Sequence, residues 1–137
     1  MIDGVPRELG TQDRLFRNEG VAANGMPKLV EQTRKAGIKI APEHGLAATW
    51  WDYDGDGWLD LYVSNDFHTP DHLYRNNRDG TFSEVTEEAL PYTSWFSMGS
   101  DFADINNDGR YDYLSTDMSA TTHFKQKTMM GAMTSTA

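Results

Sequence analysis

The sequence predicts an all-β fold in which short antiparallel strands form four-stranded units. One observation is an acidic stretch at residues 52–60 whose pattern returns at residues 104–112. Another is that apolar, aromatic and β-branched runs, too short for helices, flank both stretches. A third is that residues 15–18 (LFRN) are matched by residues 73–76 (LYRN). Such matched segments indicate that one structural unit is repeated along the chain.

The first predicted hairpin begins at the LFRN segment and reverses within residues 20–27. That reversal contains Asn24 and Gly25, a pair that favours tight turns. An amphipathic helix over residues 28–39 is the second interpretation of the segment that follows. We favour a strand, because the matching segment around Phe82 alternates between apolar and polar residues, as strands do.

The second predicted hairpin begins at the LYRN segment and reverses at residues 78–80, whose Arg-Asp-Gly sequence indicates a compact turn. Each hairpin is followed by a threonine, Thr33 or Thr86, and then by a short polar stretch. We expect a single helical turn at both places, with the threonine hydroxyl as its N-cap. The acidic residues Glu87 and Glu88 suit the positive end of such a turn.

Four further strands are expected around the two acidic stretches. Residues 46–51 and 61–65 enclose the first stretch, and residues 98–103 and 113–117 enclose the second. Their near-continuous apolar character predicts sheets that are covered on both faces, as in four-stranded blades that stack radially. The polar tail from residue 119 onward shows no clear periodicity, and we expect it to lack regular structure.

Both acidic stretches have the ligand spacing of a calcium loop. In the first, aspartates occupy positions one, three, five and nine, and Gly57 at position six permits the turn of the backbone. Oxygen-only ligands suit a hard cation, so we predict about two Ca²⁺ ions, bound in loops at hairpin tips. The predicted ligands are Asp52, Asp54, Asp56, the Trp58 carbonyl and Asp60 in the first loop, and Asp104, Asn106, Asp108, the Arg110 carbonyl and Asp112 in the second.

These loops differ from an EF-hand. An EF-hand has a glutamate at position twelve and helices on both sides, whereas position twelve here is Val63 and the flanking runs favour strands. A hydrated acidic turn is the simpler alternative, since aspartate and glycine are ordinary turn residues. That alternative does not explain why the motif occurs twice with the same spacing.

Composition places the chain among globular proteins and narrows its partners. The 137 residues are 38% hydrophobic and carry a formal net charge of −9. Two calcium ions would bring that charge to −5, so metal loops account for most of the acidity and a cationic partner is not required. The 12 lysines and arginines are scattered, which argues against nucleic acid as a partner.

The chain contains no cysteine, which excludes disulfides, thiolate catalysis and cysteine-ligated zinc. No apolar run approaches the ~20 residues of a transmembrane helix, so we expect no transmembrane segment. The residues after Met1 are polar and do not resemble a signal peptide.

Side chains with other chemical potential are expected to be structural. His68 and His72 are four residues apart, but Pro70 between them disfavours the helix that would pair them on a metal. No nucleophile-elbow, phosphate-loop or dinucleotide motif is present, and we predict no catalytic residues. The tryptophans are expected to pack between blades, with Trp95 and the neighbouring Phe96 as exceptions that could line a sugar-binding surface.

Two motifs carry a resemblance to a known family. The pattern D-x-D-G-D-G-x-x-D-L-x-V-x-N-D, followed by H-L-Y-R-N-N-x-D-G-T-F-x-E-V-T, resembles the FG-GAP or VCBS repeat of integrin α-like β-propellers. More narrowly, residues 97–104 and 116–118 are similar to the bacterial relatives of cartilage acidic protein that carry an ASPIC/UnbV domain. The resemblance implies a propeller of about seven blades, an extracellular, periplasmic or cell-surface location, and calcium in the hairpin loops.

The propeller interpretation divides the chain into parts of three blades. Residues 1–41 are the expected second half of one blade, residues 42–91 a complete blade, and residues 92–137 the first half of the next blade with a polar tail. The chain is then expected to be a fragment whose remaining blades lie in a parent chain. We predict a non-enzymatic adhesion or ligand-binding scaffold for a protein or glycan. The alternative is part of a calcium-dependent propeller enzyme that acts on polysaccharide, as lyases do.

Overall fold

The computed structural model describes residues 10–66 and 69–118. Within these residues the chain forms β1 Phe16–Val21, β2 Pro27–Glu31, β3 Gly45–Trp51, β4 Asp60–Asn65, β5 His72–Asn76, β6 Phe82–Glu84, the helix α1 Thr86–Ala89, β7 Ser97–Ala103 and β8 Asp112–Asp117. The expectations for His68 and for the tail beyond residue 118 lie outside the described residues. In the described part, no helix has the length and apolar character of a membrane span.

The strands form three antiparallel sheets, each made of strands that are consecutive in the chain. The strand orders are β1-β2, β3-β4-β5-β6 and β7-β8. The prediction of an all-β fold with antiparallel sheets is therefore confirmed, and β2 is a strand rather than part of the alternative helix. The blade boundaries at residues 41 and 91 stay a prediction.

The two hairpins that carry the acidic loops have the same register. Trp51 pairs with Asp60 across β3 and β4, and Ala103 pairs with Asp112 across β7 and β8. Both pairs occupy the same positions of the repeated motif. The repeat in the sequence is therefore a repeat of backbone geometry.

The middle sheet, formed by β3, β4, β5 and β6, is covered on both faces. Successive side chains of β4 point in opposite directions and so reach both faces. All six residues of β4 are buried. Leu61 and Val63 pack on one face with Ile38, whereas Tyr62 packs on the other face with Leu73. The continuous apolar run of this strand predicted such double coverage.

Aromatic and polar contacts join the middle sheet to the sheet of β7 and β8. The ring of Trp51 stacks on that of Phe102, with centroids 3.3 Å apart. Beside this stack, the hydroxyl of Tyr113 donates to the hydroxyl of Tyr62 at 2.7 Å, which itself donates to the buried Asp71 at 2.7 Å. Trp51 thus packs between sheets, as expected of it.

The expected threonine caps are wrong. The helix α1 begins after Val85 and has no side-chain cap, and Thr33 lies in a turn rather than in a helix. The hydroxyl of Thr86 accepts a hydrogen bond from the backbone N–H of Leu73 at 2.7 Å, and that of Thr33 accepts one from Leu15 at 3.0 Å. Each threonine hydroxyl thus accepts a hydrogen bond from a backbone N–H near its own hairpin. Pairing that N–H overrides the local preference of threonine for a helix cap.

A close backbone contact joins the segment that follows β2 to the sheet of β3 to β6. The N–H of Phe82 donates to the carbonyl of Ala36 at 2.8 Å. Beside this bond Gly37 has a φ of 79°, and a Cβ there would lie 2.7 Å from the Phe82 carbonyl oxygen. Glycine is required at this position by both conformation and space.

Candidate metal centre

The first acidic loop connects β3 to β4 and is held by its own aspartates. Asp52 directly follows β3, and its two carboxylate oxygens accept the N–H groups of Asp56 at 2.9 Å and Gly57 at 2.8 Å. Asp60, at the start of β4, accepts the N–H of Tyr53 at 3.0 Å. Gly57 has a φ of 84°, the left-handed conformation that the sequence predicted for it.

The second acidic loop, between β7 and β8, repeats this pattern atom for atom. Asp104 accepts the N–H groups of Asp108 at 3.0 Å and Gly109 at 2.9 Å, and Asp112 accepts the N–H of Ile105 at 3.0 Å. Gly109 has a φ of 83°. The same residue types at the same spacing therefore fold into the same turn.

Three carboxylates converge in the first loop. Oxygen atoms of Asp52, Asp54 and Asp60 lie within 4.8 Å of one another, and the three residues are half-buried, exposed and fully buried, respectively. Burial raises the pKa of Asp60, the N–H of Asn76 opposes that rise, and the negative charges of Asp54 and Asp56 add to it. A cation would neutralise this convergent charge, and an all-oxygen donor set fits a hard ion such as Ca²⁺.

The remaining aspartate of the first loop is paired with an arginine. One oxygen of Asp56 accepts the N–H of Trp58 at 2.8 Å, and the other accepts Nη2 and Nε of Arg78 at 2.6 and 3.0 Å. The guanidinium lowers the pKa of Asp56 below its ordinary value. Arg78 thus places a positive charge at the first loop, as a cation would.

The second loop is more open and has a different arginine. Asp108 accepts Nη2 of Arg110 at 3.0 Å and the amide of Asn106 at 3.1 Å, and both interactions lower its pKa. Asn106 also accepts the N–H of Asp108 at 3.0 Å. The structure thus brings the predicted ligands Asn106 and Asp108 together. Calcium binding by these two, as by all ten predicted ligands, stays a prediction.

The β5–β6 hairpin braces the first loop in a way that sequence reasoning missed. The N–H of Asn76 donates to Asp60 at 2.7 Å, and its side-chain amide donates to the carbonyl of Leu59 at 3.0 Å. Pairing of β4 with β5 places Leu61 opposite Tyr74, which brings Asn76 beside the start of β4. The register of β4 and β5, had it been derived from the sequence, would have predicted these two hydrogen bonds of Asn76.

The side chains of His72, Trp58 and Trp95 differ in their exposure, and His72 has the structural role expected of it. His72 is buried against Glu43 at 3.0 Å, and Lys39 binds the same carboxylate at 2.6 Å. By contrast, Trp95 in the segment before β7 is 70% exposed and Trp58 is 49% exposed. These two tryptophans are available for contact with a ligand.

Comparison with known families gives a match over the region of the acidic loops. Residues 52–115 match the model of the FG-GAP-like repeat. The matched range begins at the first aspartate of the first loop and ends within β8, so it contains both acidic loops. Comparisons with curated proteins and with solved structures gave no match. The narrower similarity to proteins with an ASPIC/UnbV domain stays a prediction.

Proposed function

We propose that this FG-GAP repeat protein, whose repeat spans residues 52–115, is a calcium-stabilised β-propeller segment that serves as an extracellular, periplasmic or cell-surface scaffold for adhesion to a protein or glycan. The observation that carries the proposal is that the first aspartate of each acidic loop accepts the same two backbone N–H groups. An acidic turn that arose by chance would have no reason to repeat these bonds at positions one, five and nine.

Calcium in the first loop would cross-link the ends of two strands. Asp52 directly follows β3, Asp60 begins β4, and their oxygens converge with that of Asp54. An ion held by these three residues opposes their mutual repulsion and fixes the tip of the hairpin. The residues of the chain orient the oxygens, while the ion supplies the compensating charge.

The second loop would hold its ion more weakly. Asp104 and Asp112 occupy the equivalent strand ends, but the second loop contains three carboxylates and an amide where the first contains four carboxylates. Each carboxylate adds Coulombic attraction for a divalent cation. We therefore assign the first loop the higher affinity.

The proposal assigns binding rather than catalysis to this segment. The loop carboxylates that could act as acid and base accept backbone N–H groups that hold the turns, and calcium would suppress their protonation further. Exposed aromatic side chains instead favour contact with a ligand. Tyr92 and Trp95, 84% and 70% exposed, lie in the segment between α1 and β7.

Thermal unfolding with and without calcium tests the metal part of the proposal. We expect stabilisation by about 1.4 kcal/mol per site at a calcium concentration ten times the dissociation constant. Asp52→Asn combined with Asp104→Asn should abolish this stabilisation, whereas Glu88→Gln removes an exposed charge outside both loops and should preserve it. An equal response of the double variant and the wild type would refute the assignment.

Binding to immobilised polysaccharides tests the glycan form of the ligand proposal. Retention in calcium that is lost in chelator and weakened by Trp95→Ala would support it. Retention that is unaffected by both changes would contradict it. Release of unsaturated sugar products during the same incubation would favour the alternative, a calcium-dependent polysaccharide lyase.

A further inference from the structure

The side chain of Arg78 reaches the first loop from a different hairpin. It lies in the turn between β5 and β6, 22 residues from its partner Asp56, and makes two hydrogen bonds to one oxygen of that carboxylate. The side chain of Asp56 is 14% exposed in this pair. The contact joins the acidic loop to the neighbouring turn, in addition to the bonds made by Asn76.

The backbone at Arg78 has a conformation that normally favours glycine. The side chain of Asn76 accepts the N–H of Arg78 at 2.9 Å, and the side chain of Asn18 accepts the N–H of Gly20 at 2.9 Å in the first hairpin. Gly20 aligns with Arg78 in the repeat, although it lies within β1 at a shift of the strand register. Gly20 has a φ of 103° and Arg78 a φ of 66°. An arginine at a left-handed position carries a conformational cost that its side-chain contact offsets.

This contact conflicts with the predicted role of Asp56 as a calcium ligand. One oxygen of Asp56 is occupied by Trp58 and the other by Arg78. The guanidinium opposes calcium at this second oxygen, because two cations at one carboxylate oxygen repel each other.

We propose that Arg78 is a resident cation that pairs with Asp56 in the calcium-free first loop and is displaced when calcium binds. Arg78 therefore stabilises the empty loop and lowers its calcium affinity. Displacement also frees the β5–β6 turn from one of its contacts with the loop, which couples metal binding to that hairpin. This inference rests on the proposed calcium function.

The second loop provides an internal comparison. Its arginine, Arg110, comes from the loop itself, and the Arg110 side chain makes one hydrogen bond to Asp108. The Arg110 side chain is 84% exposed, against 56% for Arg78, and that of Asp108 is 34% exposed. More solvent weakens an ion pair, so removal of Arg110 should affect calcium binding less than removal of Arg78.

Calorimetric titration in an Asp104→Asn background tests the proposal, because only the first loop then binds calcium. Arg78→Gln keeps the same backbone cost and removes the charge, and it should tighten the dissociation constant by about 2- to 5-fold. Arg78→Lys keeps the charge, and its calcium dissociation constant should lie between those of the Asp104→Asn background and Arg78→Gln. Arg17→Gln is the matched control, since Arg17 is an exposed arginine of β1 that is paired with Glu19.

Unchanged or weaker binding in Arg78→Gln would overturn the displacement while leaving the calcium site intact. Absence of calcium binding in both the background and Arg78→Gln would instead refute the site, and the displacement with it. A double-mutant cycle of Arg78→Gln and Asp56→Asn in chelator is a second readout. Thermal unfolding should show coupling between the two residues, and zero coupling would overturn the claim that the pair stabilises the empty loop.

Discussion

Tyr62 provides the clearest stability prediction, because its hydroxyl is fully buried between two sheets. It donates to Asp71 at 2.7 Å and accepts the hydroxyl of Tyr113 at 2.7 Å. The change Tyr62→Phe removes a hydrogen bond to a buried carboxylate and leaves Tyr113 without this acceptor. Hydrogen bonds to charged groups contribute about 1.5–3 kcal/mol and neutral ones about 1 kcal/mol. We expect a loss of about 2–3 kcal/mol in the free energy of unfolding at pH 7.

Two further variants show whether the cost of Tyr62→Phe comes from its hydrogen-bond network or from the removal of a buried hydroxyl alone. Tyr113→Phe removes the neutral bond to Tyr62 but leaves the bond from Tyr62 to Asp71, and it should cost about 1 kcal/mol. Tyr74→Phe is the control, because the hydroxyl of this other buried tyrosine accepts a long 3.3 Å bond from the N–H of Lys39. It should cost less than Tyr62→Phe. Urea unfolding of the three variants and the wild type gives all four free energies.

The pH dependence follows from Asp71. Burial raises the pKa of Asp71, and the N–H of Asn65 and the hydroxyl of Tyr62 partly oppose that rise. The pKa of Asp71 is therefore higher in the folded protein than in the unfolded chain. This carboxyl stabilises the fold at a pH below its unfolded pKa. The stabilisation is lost as the pH rises through its folded pKa. Tyr62→Phe should raise the folded pKa further. Its cost is therefore greatest at neutral pH and decreases in acid, and a pH-independent cost equal to that of Tyr74→Phe would refute the reasoning.

Three further predictions concern the loops and the contact between sheets. Trp51→Ala should destabilise the fold by about 3 kcal/mol in urea unfolding, because it removes the stack on Phe102; a loss like that of a surface variant would contradict this packing. Asp54→Asn copies the chemistry of the second loop into the first, and calorimetry should show the two calcium dissociation constants closer together; an unchanged gap would mean that ligand charge does not set them. In Gly57→Ala the added Cβ meets no atom within 4 Å, but the backbone keeps a φ of 84°. The change should therefore lower the free energy of unfolding by about 1 kcal/mol without calcium, and a neutral effect would contradict the strained turn.

The strands and acidic loops could be predicted because their signals are local. The apolar run of β4 and the repeated aspartate spacing each lie within a few residues, and the motif register recurs between Trp51–Asp60 and Ala103–Asp112. A short-range pattern determines a hairpin and its turn whatever surrounds them. This explains why both loops have the expected glycine conformation at position six.

The polar contacts of the site could not be predicted, because they depend on side chains that the fold brings together. Arg78 meets Asp56 only once β5 has paired with β4, and no periodicity connects residues 22 positions apart. Thr86 resembled a helix cap in sequence, but a strand N–H from Leu73 occupies its hydroxyl. Pairing between elements, rather than local propensity, decided both cases.

Native mass spectrometry of the protein equilibrated with calcium tests the central claim most directly, because it counts bound ions. The wild type should bind two ions, Asp52→Asn and Asp104→Asn should each bind one, and the double variant should bind none. The Glu88→Gln protein should bind two, as the wild type does. Two ions on the double variant, or none on the wild type at millimolar calcium, would contradict the assignment of calcium to these loops.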